Sequence, residues 1–296
     1  MPTVPRALPD AGDRLARRLH SGDGVDLAVV DQGRGRTVLL LHGWPDSADL
    51  WRGQLPALIA AGFRVVAPDL RGFGASDAPD GLAAYRVGRS VGDLVAVLDA
   101  LGCDTADVVG HDWGAAVGWA FALHHPERTR RLITLSVGHP AAFGAPASDG
   151  GPPLDHLRRQ WYALLFQFEG AAERFLADDD WRGFRALAGQ ADEVERWIAD
   201  LSRPGALRAS LAWYRANSPL RAIGGPRRVV PPTAEHIDVL GIWGDGDQFL
   251  VERQMRTSAA HVGGRWRYER IAGAGHWVQL DRPDVTSRLL VEHLTA

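Results

Sequence analysis

The stretch ADVVGHDWGAAVGWAFALHH, residues 106–125, decides the fold of this chain. Residues 106–109 form a short run typical of a strand, and residues 115–125 have the pattern of a helix that ends before Pro126. Gly110 and Gly114 lie two residues before and two residues after Asp112. A Cβ at either glycine would collide with its neighbours in a very tight turn, so the spacing predicts that the turn presents Asp112 as a nucleophile. A plain strand-to-helix turn remains the alternative for these five residues alone.

Short apolar runs alternate with longer amphipathic stretches on both sides of this turn. The predicted strands are residues 37–41, 63–67, 106–109, 132–137, 237–243 and 266–271. Such alternation predicts an α/β fold with a largely parallel sheet covered by helices on both faces. Ligands of such folds bind in the crevice at the carboxyl ends of the strands.

The alternation stops between residues 139 and 228, where only helical patterns occur. Segments 140–153 and 223–232, the first rich in Ala, Gly and Pro, bound this region and are interpreted as linkers. Within it, two sets of apolar residues each share a helical face: Trp161, Leu164, Leu165 and Phe168, and Leu207, Leu211 and Tyr214. We therefore predict a core domain of residues 1–138 and 229–296 and an all-helical cap of residues 139–228.

Composition limits the class of protein. The chain has 296 residues, is 46% hydrophobic and has a formal net charge of −3. These values fit a large core, and acids and bases are too evenly mixed to provide a basic face for nucleic acid or for a membrane surface. The single cysteine, Cys103, can form no internal disulfide. With neither a secretory signal nor an apolar run of about 18 residues, the chain is expected to be cytoplasmic, without nucleic-acid or membrane partners.

A second motif, His42-Gly43-Trp44-Pro45, directly follows the predicted strand 37–41. In a hydrolase built around the Asp112 turn, two backbone N–H groups stabilise the oxyanion. One belongs to the residue after the nucleophile, here Trp113, and the other to a loop after an early strand, here Trp44. A simple turn containing proline is the alternative, and it has little weight beside the nucleophile turn.

A general base and an acid follow in the chain order expected of such a hydrolase. His276 lies in the glycine-rich loop GAGHW, residues 273–277, after the last predicted strand. A surface or capping role is the alternative for one of eleven histidines, but the order of nucleophile, acid and histidine favours His276 as the base. Between them, WGDGD, residues 243–247, follows another strand and offers two carboxylates, Asp245 and Asp247.

Over almost its whole length, the chain resembles the epoxide hydrolases of the α/β-hydrolase fold. Residues 69–76, DLRGFGAS, are similar to the arginine and glycine loop of that family. The family spacing implies Asp247 as the triad acid, with Asp245 as the alternative. Segments WYALLFQ (161–167) and LAWYRAN (211–217) are similar to those that each supply a ring-opening tyrosine, which implies this role for Tyr162 and Tyr214. The resemblance also implies a cis peptide bond between Trp44 and the proline that follows it.

The chemistry of the implied residues supports conversion of an epoxide to a vicinal diol. An aspartate is ionised near neutral pH, so Asp112 can attack carbon without first losing a proton and form an alkyl-enzyme ester. The expelled alkoxide is very basic and needs a donor such as a phenol, after which His276 activates the water that hydrolyses the ester. The expected substrate-binding residues are Trp44, Trp113, Tyr162, Tyr214 and Trp277. The expected partners are a small, mainly apolar epoxide and water.

No metal or organic cofactor is expected, because no cluster of ligands accompanies the triad. The acidic run Asp178 to Asp180 is interpreted as a solvated turn. Both cap tyrosines have a simpler alternative as ordinary aromatic residues of the cap core.

Other functions share parts of the pattern. A haloalkane dehalogenase would use the same nucleophile, but Trp44 occupies a position where many of them have asparagine. Fluoroacetate dehalogenases typically have arginine where this chain has Trp113. A binding protein that kept the hydrolase shell without turnover would usually have a damaged triad. A serine esterase would need a hydroxyl at the nucleophile turn.

Overall fold

The computed structural model describes residues 16–143, 154–189, 192–217 and 229–296. In this part of the chain the strands are β1 (Ala16–His20), β2 (Asp26–Gly33), β3 (Arg36–Leu41), β4 (Phe63–Pro68), β5 (Ala106–His111), β6 (Thr129–Leu135), β7 (Asp238–Gly244) and β8 (Trp266–Ile271). They form one sheet in the order β1-β2-β4-β3-β5-β6-β7-β8. β2 pairs antiparallel with both β1 and β4, and the pairs from β4 to β8 are parallel.

The described helices include both long α-helices and short 3-10 turns. The α-helices are α1 (Leu55–Ala60), α2 (Val87–Ala100), α3 (Trp113–His124), α4 (Leu154–Arg159), α5 (Trp161–Leu165), α6 (Ala171–Ala188), α7 (Val194–Leu201), α8 (Ala206–Ala216), α9 (Glu252–Thr257), α10 (Val278–Asp281) and α11 (Pro283–Thr295). The 3-10 helices are Ala48–Gly53, Leu82–Tyr85, Pro126–Arg128, Pro140–Ala142 and Ser258–His261. In the described segments, no helix has the length and apolar character needed to cross a membrane.

The six strands expected from the sequence correspond to β3–β8, and the largely parallel sheet is confirmed. The limits of β6 were predicted least well, because the strand begins at Thr129 and includes the charged residues Arg130 and Arg131. Its backbone pairs with β5 and β7 whether or not its side chains are apolar. The strand ends before Ser136, whose positive φ of 68° breaks the extended conformation.

Strands β1 and β2 were not predicted. The sequence of β1 is ARRLH, which lacks the apolar alternation of a half-buried strand, and it lies at the edge of the sheet with β2 as its partner. β2 has a buried centre, but it runs opposite to its neighbour β4. The alternation of strands and helices that predicts parallel strands does not extend to this antiparallel edge.

The parallel strands bring four loops of the chain to one edge of the sheet. β3, β5, β7 and β8 lead at their carboxyl ends into the loops that contain Trp44, Asp112, Asp247 and His276, respectively. In the sheet order, β3 and β5 are neighbours, as are β7 and β8, with only β6 between the two pairs. Residues far apart in sequence therefore lie within reach of one another.

Helices α4–α8 lie in sequence between β6 and β7 and are called here the inserted helices. The expected linkers, 140–153 and 223–232, lie largely outside the described residues. The apolar face expected on α5 is not packed as a core face, because Trp161, Leu164 and Phe168 are 50%, 51% and 59% exposed. Tyr162 and Phe166, four residues apart on the other face, are buried instead. α5 is five residues long, so a pattern drawn to Phe168 extends beyond the helix.

The acidic run in α6 forms a turn, as expected. Asp178 to Trp181 depart from helical geometry, and Asp179, Asp180 and Trp181 have positive φ values between 52° and 59°. The three aspartates are exposed to solvent. A left-handed turn therefore interrupts α6 where charged side chains reach water.

Candidate active site

The turn between β5 and α3 has the tight geometry that its glycines suggest. Asp112 has φ 52° and ψ −122°, a strained conformation for a residue with a side chain. A Cβ on Gly110 would lie 2.4 Å from the carbonyl oxygen of Gly114. A Cβ on Gly114 would lie 2.2 Å from the carbonyl oxygen of Leu41 in β3. Both positions therefore require glycine, and Asp112 projects from the top of the sheet.

The Asp112 carboxylate is enclosed by the loop after β3. Its Oδ1 accepts a hydrogen bond of 2.9 Å from the backbone N–H of Trp44. Gly43 permits this approach, since a Cβ there would lie 2.4 Å from the Cβ of Asp112. The Trp44–Pro45 peptide bond is cis, which confirms the expectation from the sequence. Trp113 begins α3, and the first N–H groups of an α-helix have no partner within it.

His276 lies between two carboxylates. Its Nδ1 is 2.8 Å from Oδ2 of Asp247, and its Nε2 is 3.6 Å from Oδ2 of Asp112. Burial lowers the pKa of His276, but the charges and hydrogen bonds of both aspartates outweigh that effect and raise it to about 10. Burial opposes ionisation of both aspartates, yet the His276 imidazole holds the pKa of each below its usual value. The three side chains thus form a charged cluster at neutral pH.

The two carboxylates proposed for the acid have different surroundings. Asp247 Oδ1 accepts the backbone N–H groups of Phe249 and Leu250 at 2.8 and 3.0 Å, which leaves Oδ2 for His276. Asp245 accepts the N–H of Gly273 and forms an ion pair with Arg270 at 3.2 Å. Asp247 is therefore brought to His276, and Asp245 is directed to the other side of its loop. In the described ranges, no group of three or more His, Cys, Asp or Glu side chains is arranged for a metal ion.

The main chain of His276 is fixed by two residues that the sequence did not single out. The carbonyl oxygen of His276 is 3.0 Å from Nε2 of His111 and accepts a hydrogen bond of 2.8 Å from Oγ of Ser136. Burial, together with the charge of His276, lowers the pKa of His111 to about 3, so His111 is neutral and can donate through Nε2. His111 directly precedes Asp112, and this adjacency is the only sequence signal that points to it.

Tyr162 of α5 and Tyr214 of α8 meet above this cluster. They are 5% and 7% exposed, and their ring centroids are 6.0 Å apart. Tyr214 packs edge-on against Trp113 at 5.2 Å, and Tyr162 packs against Phe249 at 5.5 Å. Burial raises the pKa of both tyrosines well above the usual value, and the nearby charge of Asp112 adds to the effect. Both side chains are therefore neutral phenols that can donate a proton.

The helices that carry the tyrosines are tied together by two polar side chains, neither expected from the sequence. Gln167 Nε2 donates to the carbonyl oxygens of Ala163 and Tyr214 at 2.9 and 3.2 Å. Arg215 Nε donates to the carbonyl oxygen of Phe166 at 2.8 Å, and the guanidinium also pairs with Glu173 at 2.8 Å. Because Gln167 and Arg215 lie within the two segments that contain the tyrosines and each donates to a carbonyl oxygen of the other segment, they limit the relative movement of α5 and α8.

The expected substrate-binding residues fall into two groups. The rings of Tyr162 and Tyr214 contact each other, and that of Tyr214 also contacts Trp44 and Trp113. The indole of Trp277 instead packs against the His276 ring at 5.0 Å, and its N–H donates to the buried carboxylate of Asp46 at 2.9 Å. Trp44, Trp113, Tyr162 and Tyr214 are thus brought together over Asp112. Trp277 instead supports the loop that contains His276, residues 273–277, called here the histidine loop.

The tight turn at Asp112 after a central parallel strand, with Asp247 after β7 and His276 after β8, has the arrangement of an α/β hydrolase. The family model for the alpha/beta hydrolase fold matches residues 36–283. Among curated proteins, the chain is 32% identical to Epoxide hydrolase A of Mycobacterium tuberculosis, over 94% of this chain and 97% of that protein. It is 31% identical to an AB hydrolase superfamily protein of Bacillus subtilis, over 92% of this chain and 95% of that protein.

Solved structures give the same result. The Bacillus megaterium epoxide hydrolase, crystallised with an inhibitor, superposes with a TM-score of 0.84 at 27% identity. The match covers 95% of this chain and 100% of that one. The chain belongs to the epoxide hydrolase family of α/β-hydrolase-fold enzymes.

Proposed function

We propose that this enzyme hydrolyses epoxides to vicinal diols through a covalent ester on Asp112. One observation carries the proposal: an ionised carboxylate lies 3.6 Å from a histidine and beneath two buried, protonated tyrosines. A carboxylate suits attack on an sp³ carbon, and phenols suit protonation of the oxygen that leaves it. The names of the relatives agree, since several are called epoxide hydrolases.

The tyrosines belong to a cap, residues 139–228, that covers a core of residues 1–138 and 229–296. α5 and α8 contribute Tyr162 and Tyr214, and the ring of Tyr214 meets Trp44 and Trp113 from the sheet loops. In this division the core supplies the nucleophile, the base and the acid. The cap supplies the proton donors and the roof of the substrate pocket.

In the first step, Oδ2 of Asp112 attacks a carbon of the epoxide ring and the carbon–oxygen bond of the ring breaks. Oδ1 becomes the carbonyl oxygen of the ester, because it already accepts the N–H of Trp44. The departing oxygen takes a proton from Tyr162 or Tyr214, which leaves a hydroxyl on the substrate and a tyrosinate on the enzyme.

Ester formation also prepares His276 for the second step. It removes the negative charge of Asp112, one of the two carboxylates that raise the pKa of His276 to about 10. The pKa of His276 then falls, the imidazolium releases its proton and the tyrosinate is neutralised. The neutral imidazole takes a proton from water, which attacks the ester carbon.

The remaining groups stabilise the charge that hydrolysis produces. The N–H groups of Trp44 and Trp113 bind the tetrahedral oxyanion, while Asp247 orients the imidazole and stabilises its charged form. Collapse of the intermediate breaks the bond between the ester carbon and the alcohol oxygen. The proton on His276 passes to that oxygen and the diol leaves. The carboxylic acid that remains on Asp112 then gives its proton to His276, which restores a carboxylate paired with a protonated histidine.

The route of oxygen tests this mechanism. In a single turnover in heavy-oxygen water with enzyme in excess, the newly added diol oxygen comes from Asp112 and is unlabelled. A second turnover of the recovered enzyme in ordinary water then releases labelled diol, because the oxygen that labelled water added to Asp112 in the first turnover can attack the next epoxide. Full labelling of the diol in the first turnover would mean that water attacks the epoxide directly, and the proposed role of Asp112 would be wrong.

A substrate panel separates epoxide opening from dehalogenation, which uses the same nucleophile. Styrene-type, aliphatic and bulky epoxides are assayed for diol, and bromoalkanes for halide. The surrounding rings of Trp44, Trp113, Tyr162 and Tyr214 favour apolar epoxides. Faster release of halide than of diol across the panel would instead support a haloalkane dehalogenase.

A further inference from the structure

A buried carboxylate outside the triad joins three parts of the site. Asp46 follows the cis proline in the loop after β3, residues 42–47, called here the oxyanion loop. Its side chain is 0% exposed. Its Oδ2 accepts the indole N–H of Trp277 at 2.9 Å. Its Oδ1 accepts the indole N–H of Trp197 at 2.7 Å and pairs with Arg196 at 3.1 Å.

The partners of Asp46 belong to two different parts of the molecule. Trp277 is the residue after His276, and Trp197 and Arg196 lie on α7 of the inserted helices. Asp46 itself lies two residues after Trp44, whose N–H binds the nucleophile. The indoles of Trp197 and Trp277 also pack on each other at 4.9 Å. One carboxylate therefore connects the oxyanion loop, the histidine loop and the inserted helices.

The free-energy cost of burying the Asp46 carboxylate makes this connection specific. A buried carboxylate is stable only while its oxygens accept hydrogen bonds, because the lost hydration must be replaced. A shift of the histidine loop or of α7 would leave Asp46 short of a donor. The three elements consequently hold one another at fixed distances.

We infer that Asp46 is a positioning residue for ester hydrolysis, because it aligns the His276 loop with the oxyanion loop through Trp277. The inference rests on the proposed covalent mechanism. Opening of the epoxide depends mainly on Asp112 and the two tyrosines, none of which contacts Asp46. Hydrolysis depends on the relative placement of His276 and the Trp44 N–H, which Asp46 connects.

Asp46→Asn tests the inference with little change in shape. The amide has one acceptor oxygen in place of two, and its NH₂ group faces an N–H donor. Opening and hydrolysis are measured separately by rapid-quench single turnover, with the ester followed by intact-protein mass. We expect hydrolysis to slow roughly tenfold or more and opening by less than about threefold, since small displacements of a general base are costly. Ester then accumulates during steady-state turnover.

Trp277→Phe is a second variant that removes the same hydrogen bond but keeps an aromatic ring. It should reproduce the selective loss, and combining it with Asp46→Asn should add little, because both changes break one interaction. Trp197→Phe breaks only the bond to α7 and should slow hydrolysis less than Trp277→Phe.

Two matched controls change buried polar groups that form hydrogen bonds or ion pairs with neither Asp46 nor His276. Asp107 at the start of β5 is also 0% exposed and pairs with Arg36 at 2.7 Å. Trp119 in α3 is buried and donates its indole N–H to the carbonyl oxygen of Val137 at 3.0 Å. Asp107→Asn and Trp119→Phe can reduce thermal stability, but they should leave the ratio of hydrolysis to opening unchanged.

The outcomes separate the inference from the mechanism on which it rests. If Asp46→Asn and Trp277→Phe leave the ratio of the two rates unchanged, as the controls do, Asp46 is only structural and the inference is overturned. If the unmodified enzyme forms no ester at all, the proposed mechanism fails, and a role of Asp46 in ester hydrolysis fails with it. Selective accumulation of ester in both variants establishes the positioning role.

Discussion

The two sides of the active site are held in different ways. On the sheet side, the charged carboxylates of Asp112 and Asp247 accept backbone N–H groups from Trp44, Phe249 and Leu250. On the helical side, Tyr162 and Tyr214 are neutral. The helices that carry them are joined mainly through side chains such as Gln167.

The difference follows from charge. A buried carboxylate loses several kcal/mol of hydration unless fixed donors replace the water, and backbone N–H groups in tight loops are such donors. A buried phenol loses less, so packing and a few side-chain bonds are sufficient to place it. The sheet side is therefore rigidly specified and has one residue for each proposed role, while the helical side has two proposed donors for one proton.

The largest effect is expected from replacing His276, the proposed general base on the sheet side. His276→Gln should leave ester formation possible and slow its hydrolysis by roughly 10³-fold, because no other group in the cluster can take a proton from water. Intact-protein mass should then rise by the mass of the substrate. Asp112→Ala is the control and should show neither ester nor diol. Normal turnover of the His276 variant would refute its role as the base.

A comparison of the two aspartates after β7 sharpens the assignment of the acid. Asp247→Asn should slow hydrolysis by roughly 10²-fold or more, since the imidazole loses the charge that orients and stabilises it. Asp245→Asn removes an ion pair with the half-exposed Arg270 and should leave both rates nearly unchanged. Steady-state and single-turnover rates of both variants decide between them. The reverse result would make Asp245 the acid.

Changes on the helical side should have smaller effects because its donors are duplicated. Tyr162→Phe or Tyr214→Phe should each slow epoxide opening by roughly 10²-fold or less, since the partner can still donate. The double variant should lose more than either single change. Rapid-quench measurement of ester formation tests this order. Unchanged opening in the double variant would make both tyrosines ordinary core residues.

The smallest effect is expected from pH on the opening step. Asp112 has a lowered pKa and remains ionised above its usual value of 3.8, and both tyrosines have raised pKa values and remain protonated at pH 10. Opening should thus vary by less than about twofold between pH 5.5 and 8.5. Hydrolysis needs neutral His276 in the ester, so its rate should fall as pH decreases. Single-turnover rates across this pH range test both the opening and the hydrolysis predictions. A sharply bell-shaped pH profile of the opening rate would contradict the protonation states assigned to Asp112 and the two tyrosines.

Local sequence was most informative where local sterics determine the geometry. Gly110 and Gly114 predict the nucleophile turn because a Cβ at either position would meet backbone atoms. Strands β3–β8 were recognisable from buried apolar runs, whereas the polar edge strand β1 was not. The exposed face of α5 shows the limit, because Trp161 and Leu164 are as apolar as a core helix requires and still face solvent.

The sequence by itself determined strands β3–β8, the turn at Asp112 and the chain order of the loops that contain Asp112, Asp247 and His276. The family resemblance implied Asp247 as the acid, and in the tertiary structure Asp247 rather than Asp245 meets His276. Only the tertiary structure decided that Asp46 joins Trp197 and Trp277. Those indoles are 151 and 231 residues from Asp46 along the chain. Turns and strands follow from interactions among neighbouring residues, so a short segment encodes them. Contacts across such distances depend on how the whole sheet and its inserted helices pack, and no local pattern specifies them.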